Sequence, residues 1–123
     1  IKEYDRLKLV ENAAKMGKVL GKRLNELKEE HKSVGEVRGK GLFWGVELVK
    51  IRDTNKPFAE RKDKFDPTMQ KQVSAEMMKN GVYLGNVINT FIVAPPLIVT
   101  EKEIDDACAV FGEALKIADK ETE

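Results

Sequence analysis

The chain has one histidine, His31, and one cysteine, Cys108, as candidates for nucleophilic or metal chemistry. One of each cannot supply the usual nitrogen and sulfur ligands of a zinc site. Cys108 falls on the apolar stripe of a predicted helix, where a small buried residue is expected and a nucleophile is not. His31 ends a predicted helix, where a protonated imidazole favours the helix dipole. A hydrolase that uses His31 in a Ser–His–Asp arrangement is an alternative, but no Gly-x-Ser-x-Gly context supports it. We expect no catalytic residue and no metal site in this chain.

A glycine-rich segment, "GEVRGKGLFWG", resembles a phosphate-binding loop at first sight. It lacks the Gly-Lys-Ser/Thr ending of a P-loop, and a strand follows it where a P-loop continues into a helix. Glycines for a turn and for close packing are therefore the preferred interpretation. We predict a turn at Arg38-Gly39-Lys40-Gly41, in which Arg38 can hold a carboxylate or neighbouring carbonyls and Lys40 is exposed. Gly45, inside the second strand, predicts a bulge or a close neighbour.

The charge balance gives no reason to propose nucleic acid or an anionic membrane as partner. Lys and Arg number 22 against 21 Asp and Glu, which leaves a formal net charge of +1. No apolar run approaches the ~20 residues that span a bilayer. A single cysteine favours a reducing compartment, and we expect a cytoplasmic protein. Because the chain begins at Ile1 without a methionine or a signal pattern, we expect a fragment of a longer protein.

The elements that would position these residues begin with an amphipathic helix from Lys2 to about Glu30. Its apolar residues recur at spacings of three and four. They are Leu7, Val10, Ala14, Gly17, Leu20, Leu24 and Leu27. Gly17 and Gly21, on or near this stripe, indicate close packing against another backbone.

The strand after the glycine-rich turn alternates with period two. One face carries Leu42, Trp44, Val46 and Leu48, and the other carries Phe43, Gly45, Glu47 and Val49. Because both faces are largely apolar, we expect this strand to be covered on each side.

Residues 52–67 are polar and without periodicity, which predicts an exposed loop. Asp66 and Pro67 then predict the start of a helix, as N-cap and first helical residue. Asn80-Gly81 predicts its end. The expected buried stripe of this helix is Met69, Val73 and Met77.

The segment "NTFIVAPPLIVTEKEID" joins a strand to the last helix. We predict strands at 82–84 and 90–94 around the loop 85–89. Pro95 and Pro96 cannot donate to a sheet ladder, so pairing should stop there. Thr100 and Glu103 match a capping box. The last helix then carries a buried stripe, and residues 120–123 should fray. The stripe consists of Ile104, Cys108, Phe111, Leu115 and Ala118.

The predicted order is helix, two strands, loop, helix, two strands, helix. It favours an α+β fold with helices on a small, mostly antiparallel sheet of three to four strands. The motifs "VGEVRGKGLFWGVELV", "MMKNGVYLGN" and "NTFIVAPPLIVTEKEID" occur here in the order in which they resemble the C-terminal part of a class III pyridoxal-phosphate aminotransferase. The resemblance covers essentially the whole chain. It implies that residues 1–123 form the single C-terminal small domain of such an enzyme, with the catalytic large domain absent.

This resemblance implies transfer of an amino group from an ω-amino acid or amine to a keto acid such as pyruvate. The family's Schiff-base lysine, its aspartate on the pyridinium nitrogen and its phosphate cup lie in the large domain. The chain alone is therefore expected to be inactive and to bind no pyridoxal phosphate. The implied partners are the large domain and, in the parent enzyme, a second subunit of a homodimer. The alternative is a free-standing α+β binding or interaction module without catalysis.

The resemblance also implies that this domain closes the substrate side of the active site. Many relatives place an arginine in or just after the loop 84–92, but this chain has none after Arg61. The substrate-side candidates are Gly85, Asn86 and Asn89, with turn geometry as the alternative role for the two asparagines. Structural roles are expected for the remaining motif residues, which are Arg38, Gly39, Gly41, Gly45, Pro95 and Pro96.

Overall fold

The computed structural model describes residues 2–58, 68–87 and 89–123, without the side chains of residues 2–5 and 7. The elements are α1 (Lys2–Glu30), β1 (Val34–Lys40), β2 (Phe43–Leu48), α2 (Thr68–Lys79), β3 (Gly85–Val87), β4 (Thr90–Val93) and α3 (Glu101–Asp119). This order confirms the predicted α+β class. The predicted helix start at Asp66-Pro67, and much of the predicted loop before it, lie outside the described residues.

The four strands form one antiparallel sheet in the order β1-β2-β4-β3. Helix α1 packs on β1 and β2, while α3 packs against α1 and α2. Residues directly opposite each other in an antiparallel pair share a face. Val46 and its neighbour Phe91 are fully buried on the helix-covered face, where the Phe91 ring meets Phe111 edge-on at a centroid distance of 5.5 Å. The core therefore lies between this face and the helices.

The opposite face of the sheet, here called the outer face, carries Arg38, Phe43, Gly45, Glu47 and Ile92. Phe43 is 62% exposed. The prediction that β2 is covered on both sides is therefore wrong at this position. Leu42, Val46 and Leu48 on the other face are buried as expected.

The β1–β2 turn lies later in the chain than predicted. Arg38, Gly39 and Lys40 belong to β1, and the chain reverses between Lys40 and Phe43, with Gly41 at φ +57°. Only a residue that tolerates positive φ suits that position, so Gly41 sets the turn. The register shift falls between Val34 and Glu36, so Gly45 is not a bulge. Gly45 does have the close neighbour that was predicted, since a Cβ there would lie 3.2 Å from Thr90 Cγ2.

Helix α1 buries a shorter stripe than its sequence predicts. Leu20, Leu24 and Leu27 are buried, but Val10 is 58% exposed and Ala14 is exposed as well. In the first part of α1 the inward face is instead the one that carries Asn12, Ala13 and Met16, and Asn12 Nδ2 donates to the carbonyls of Leu97 and Val99. Close packing at Gly17 is confirmed, because a Cβ there would lie 2.5 Å from the Gly41 carbonyl oxygen.

The C-terminal residues are anchored, so the prediction that they fray is wrong. Thr122 is 3% exposed, and its hydroxyl oxygen lies 2.9 Å from the Val49 carbonyl and 3.0 Å from the Ala118 carbonyl, so its one hydrogen can be donated to either. The Glu123 amide donates to the Lys50 carbonyl, and the Arg52 amide donates to the Glu123 carbonyl. These bonds give the last residues partners from distant parts of the chain.

Helix α3 follows its sequence signals closely. Thr100 and Glu103 form the predicted capping box, and the predicted stripe is buried. Gly81, at φ +83°, follows the end of α2 as expected. Val73 and Met77 are buried residues of this helix. None of the helices in the described ranges is both long and apolar enough to cross a membrane.

Candidate functional site

The β3–β4 hairpin carries the three substrate-side candidates. Strand β3 occupies Gly85–Val87, so the prediction of a strand at 82–84 followed by a loop from residue 85 is wrong. Pairing with β4 decides the position of this strand: Gly85 lies opposite Ile92, and Asn86 lies opposite Phe91. Gly85 therefore belongs to the outer face and Asn86 to the helix-covered face, where it is exposed at the sheet edge. The structure separates these two candidates.

Asn89 is bonded to the neighbouring strand through both its side chain and its backbone. Its Nδ2 donates to Glu47 Oε1 at 3.1 Å, and its carbonyl accepts from the Leu48 amide at 2.9 Å. Glu47 has a side-chain exposure of 21%, which makes this contact partly buried. Asn89 thus ties the hairpin to β2, a role that turn geometry alone does not provide.

Arg38 holds carboxylates, as predicted, but it does so from a strand. Its Nη1 donates to Glu36 Oε2 at 3.0 Å and lies 3.6 Å from Glu47 Oε2. The Arg38 side chain is 60% exposed, so each ion pair contributes only about 0–1 kcal/mol in this chain. Arg38 thus links carboxylates of two strands on the outer face, Glu36 on β1 and Glu47 on β2.

A cavity of about 530 Å³ opens at the β3 edge of the sheet, between residues 81–85, the end of β4 and α3. Sheet pairing ends at Val93, directly before the stretch Ala94-Pro95-Pro96 that continues the cavity wall. Gly85 lines the same cavity. The prediction that pairing stops before the two prolines is confirmed.

This cavity does not fit a phosphorylated aldehyde cofactor. Such a cofactor needs a lysine for its Schiff base and donors for its phosphate. The residues that line the cavity, all within the described ranges, are apolar apart from Tyr83, Glu103 and Cys108, and they include no lysine, arginine or histidine. Burial, followed by the charge of Asp105, raises the pKa of the Cys108 thiol to about 11. Cys108 therefore stays a neutral thiol near pH 7, in agreement with its predicted structural role.

One polar cluster escaped sequence analysis because its members lie far apart in the chain. Asp119 Oδ2 lies 2.5 Å from His31 Nδ1, and Asp119 Oδ1 accepts from the hydroxyl and amide of Ser33. In a catalytic triad the histidine lies between the serine and the aspartate. Here the aspartate lies between them, and Ser33 is fully buried. The cluster joins the ends of α1 and α3, and its geometry does not support the hydrolase alternative.

Arg52 caps the same end of α1. Its guanidinium donates to the carbonyls of His31 and Lys28 at 3.0 and 3.1 Å. The Lys28 carbonyl belongs to the last turn of α1, where carbonyls lack intrahelical partners, and the His31 carbonyl lies just after the helix and also accepts from the Val34 amide. Among the described residues, no group of three or more acidic, histidine or cysteine side chains could hold a metal ion.

Comparison with known proteins identifies the fold. The model of the family described as Aminotransferase class-III matches residues 1–115. An adenosylmethionine-8-amino-7-oxononanoate aminotransferase from Methanocaldococcus jannaschii is 36% identical over 94% of this chain and 24% of its own length. A taurine–pyruvate aminotransferase from Bilophila wadsworthia is 38% identical over 93% of this chain and 25% of its own length.

Solved structures agree. The crystal structure of the omega transaminase from Pseudomonas jessenii in complex with PMP matches with a TM-score of 0.82 and 30% identity. The match covers 97% of this chain and 25% of that one. The chain thus spans about a quarter of the length of these relatives. Together, the family match over residues 1–115 and the shared fold show that the chain belongs to the class III aminotransferase family.

Proposed function

We propose that residues 1–123 are the C-terminal small domain of a pyridoxal-phosphate-dependent aminotransferase. The reaction moves an amino group from an ω-amino acid or amine to a keto acid such as pyruvate. The observation that carries this proposal is the match of the class III family model to residues 1–115. The similar taurine–pyruvate aminotransferase supports the choice of donor and acceptor class. A single cysteine and a net charge of +1 are in keeping with a cytoplasmic enzyme that has no nucleic-acid or membrane partner.

The partner of this domain is the large domain of the same enzyme, and its docking site is the outer face of the sheet. Phe43 and Val87 lie on that face and are 62% and 61% exposed. Large exposed apolar side chains on one face are typical of a surface that another domain covers. The relatives are about four times as long as this chain, which leaves ample polypeptide to cover it. The parent enzyme is a homodimer in this proposal.

The domain acts on the substrate side of the active site. Its β3–β4 hairpin reaches the outer face through Gly85 and is tied to β2 through Asn89. Pro95 and Pro96 fix the path from β4 to α3 and so hold the hairpin in place. The chain's own residues bind and orient the substrate. Bound to the large domain, pyridoxal phosphate would supply an aldehyde for the amino group and an electron sink.

The test compares the complete protein with the isolated chain. Each is titrated with pyridoxal phosphate, reduced with borohydride and analysed by mass spectrometry. We expect the complete protein to yield one lysine adduct outside residues 1–123 and the isolated chain to yield no stoichiometric adduct. The complete protein should also form alanine from pyruvate with at least one of β-alanine, taurine, 4-aminobutyrate or a diamine.

Two results would overturn the proposal. A single stoichiometric adduct on a lysine within residues 1–123 would place the cofactor in this domain. A complete protein that neither binds pyridoxal phosphate nor transaminates would favour the free-standing binding module.

A further inference from the structure

A chain of polar contacts crosses the outer face from β1 to the β3–β4 hairpin. It runs from Arg38 on β1 to Glu47 on β2 and then to Asn89 at the hairpin. The Arg38 Nη1–Glu47 Oε2 distance is 3.6 Å, and Asn89 Nδ2 donates to Glu47 Oε1 at 3.1 Å. Each oxygen of the Glu47 carboxylate thus has a different partner. Glu47 connects an edge strand to the segment that carries the substrate-side candidates.

The sheet register places Arg38 between two carboxylates. Glu36 lies directly opposite Glu47 in the β1–β2 pairing. Two like charges directly opposite each other on one face destabilise a sheet. Arg38 is two residues after Glu36, so its side chain emerges on the same face and contacts both carboxylates. Arg38 therefore offsets their repulsion and lies within ion-pair distance of the Glu47 carboxylate.

Backbone contacts to β2 also hold Asn89 and Thr90, at the hairpin end of this chain of contacts. The backbone carbonyl of Asn89 accepts from Leu48, the residue after Glu47. Thr90, the first residue of β4, pairs with Glu47, and its Cγ2 lies over Gly45. A Cβ at position 45 would lie 3.2 Å from Thr90 Cγ2, so the Thr90 side chain would have to shift by a few tenths of an ångström. The hairpin is thus bonded to β2 through both the Glu47 side chain and the Leu48 amide.

We propose that Arg38 and Glu47 are positioning residues that fix the β3–β4 hairpin through Asn89 and thereby set the selectivity of the enzyme among amino donors of different length. This inference rests on the proposed function, in which the hairpin lies on the substrate side. Arg38 and Glu47 act through Asn89 and do not themselves contact the substrate. Loss of either contact lets the hairpin shift, which changes the fit of a longer donor relative to a shorter one.

The experiment uses the complete enzyme and two ω-amino acid donors that differ in chain length, β-alanine and 4-aminobutyrate. The measured quantity is the ratio of their kcat/KM values. We expect Arg38→Gln, Glu47→Ala and Asn89→Ala to change this ratio in the same direction, by about three- to tenfold, because small displacements at a reacting centre cost large factors in rate. The double variant Glu47→Ala/Asn89→Ala should change it no more than the larger single effect, since residues that act through one another are not additive.

Glu36→Gln is the matched control. It removes the other partner of Arg38 but leaves the Glu47–Asn89 contact in place, so the ratio should stay at the wild-type value. Glu47→Gln keeps an oxygen that can accept from Asn89 but loses the charge that pairs with Arg38, so it should change the ratio about as much as Arg38→Gln does. A residue with a merely structural role would lower kcat/KM for both donors equally, together with the Tm.

The outcomes separate this inference from the proposed function. If Asn89→Ala changes the ratio but Arg38→Gln and Glu47→Ala do not, the positioning role is refuted and the proposed function stands. Equal losses for both donors also refute the positioning role. If Asn89→Ala leaves the ratio unchanged in an active enzyme, the hairpin does not contribute to donor selection, and both the inference and the substrate-side role fail.

Discussion

Replacement of Gly17 by alanine sets two opposing effects against each other inside α1. Alanine favours a helix interior by about 1 kcal/mol relative to glycine. The new Cβ, however, would lie 2.5 Å from the Gly41 oxygen, 2.7 Å from its carbonyl carbon and 2.8 Å from its Cα. All three are backbone atoms of a turn held at positive φ, and the same oxygen accepts the Trp44 indole N–H at 2.7 Å. The neighbour cannot move without breaking that bond.

Such overpacking costs about 1–3 kcal/mol, and a backbone neighbour places Gly17→Ala at the upper end of that range. After subtraction of the helix gain, we expect Gly17→Ala to lower the free energy of unfolding by about 2 kcal/mol. The assay is urea denaturation of the 123-residue chain, followed by the fluorescence of Trp44 and by far-UV circular dichroism. An unchanged m-value would show that the loss is one of stability.

Gly112→Ala is the matched control, because it makes the same change in another helix, α3. Its Cβ would lie 3.2 Å from Leu27 Cδ2, the end of a flexible side chain, and 3.4 Å from His31 Nε2. These atoms can shift by a few tenths of an ångström, so the control should be neutral or stabilising by up to about 1 kcal/mol. If Gly17→Ala were as stable as Gly112→Ala, the close approach of α1 to the β1–β2 turn would be refuted.

Three further predictions concern the polar cluster, the thiol and the tail. Asp119→Ala removes the acceptor of buried Ser33 and His31 and should lower the free energy of unfolding by about 1–3 kcal/mol, the cost of leaving a buried donor without its acceptor. Asp119→Asn keeps one oxygen acceptor and should cost less; equal losses in urea denaturation would contradict this. Cys108 should react with iodoacetamide at pH 8 much more slowly in the folded than in the unfolded chain, because burial raises its thiol pKa from 9.0 to about 11 and leaves little thiolate; equally fast labelling of the two would contradict this. The contribution of this thiol to stability is complete below pH 9 and is lost as the pH rises towards 11. Deletion of residues 122–123 should lower the Tm measurably, because Thr122 is buried and hydrogen-bonded; an unchanged Tm would show that the tail frays after all.

The elements that could be predicted from the sequence are those that local signals determine. Helix α3 has a capping box at Thr100 and Glu103 and a regular apolar stripe, and both are present in the structure. The position of β3 could not be predicted, because its three residues become a strand only through pairing with β4. The anchored tail was missed for a similar reason, since Thr122 finds its partner at Val49. Contacts between residues 70 to 90 positions apart leave no local pattern.

The site residues stay a prediction, and their contacts could not be predicted from the sequence. The substrate-side candidates came from the family resemblance, and no periodicity distinguishes Asn89, which bonds to Glu47, from Asn86, which is exposed at the sheet edge. The alternation of β2 predicts that Glu47 shares a face with Phe43 and Gly45, but it predicts no partner for the Glu47 carboxylate. Its pairing with Arg38 follows from the β1–β2 register, and a turn predicted at Arg38-Gly39-Lys40-Gly41 hides that register. A turn centred on Gly41 would have placed Arg38 in the strand.

The exposure of the outer face leads to a final prediction about Arg38. In the isolated chain its side chain is 60% exposed, so its ion pairs with Glu36 and Glu47 lie in a high-dielectric environment and contribute about 0–1 kcal/mol. Arg38→Gln should therefore change the urea midpoint of the isolated chain only slightly. In the complete enzyme the large domain covers this face in our proposal, and exclusion of water strengthens the same contacts. The variant should then alter donor selectivity there, and a large loss of stability in the isolated chain would instead show that Arg38 acts mainly in folding.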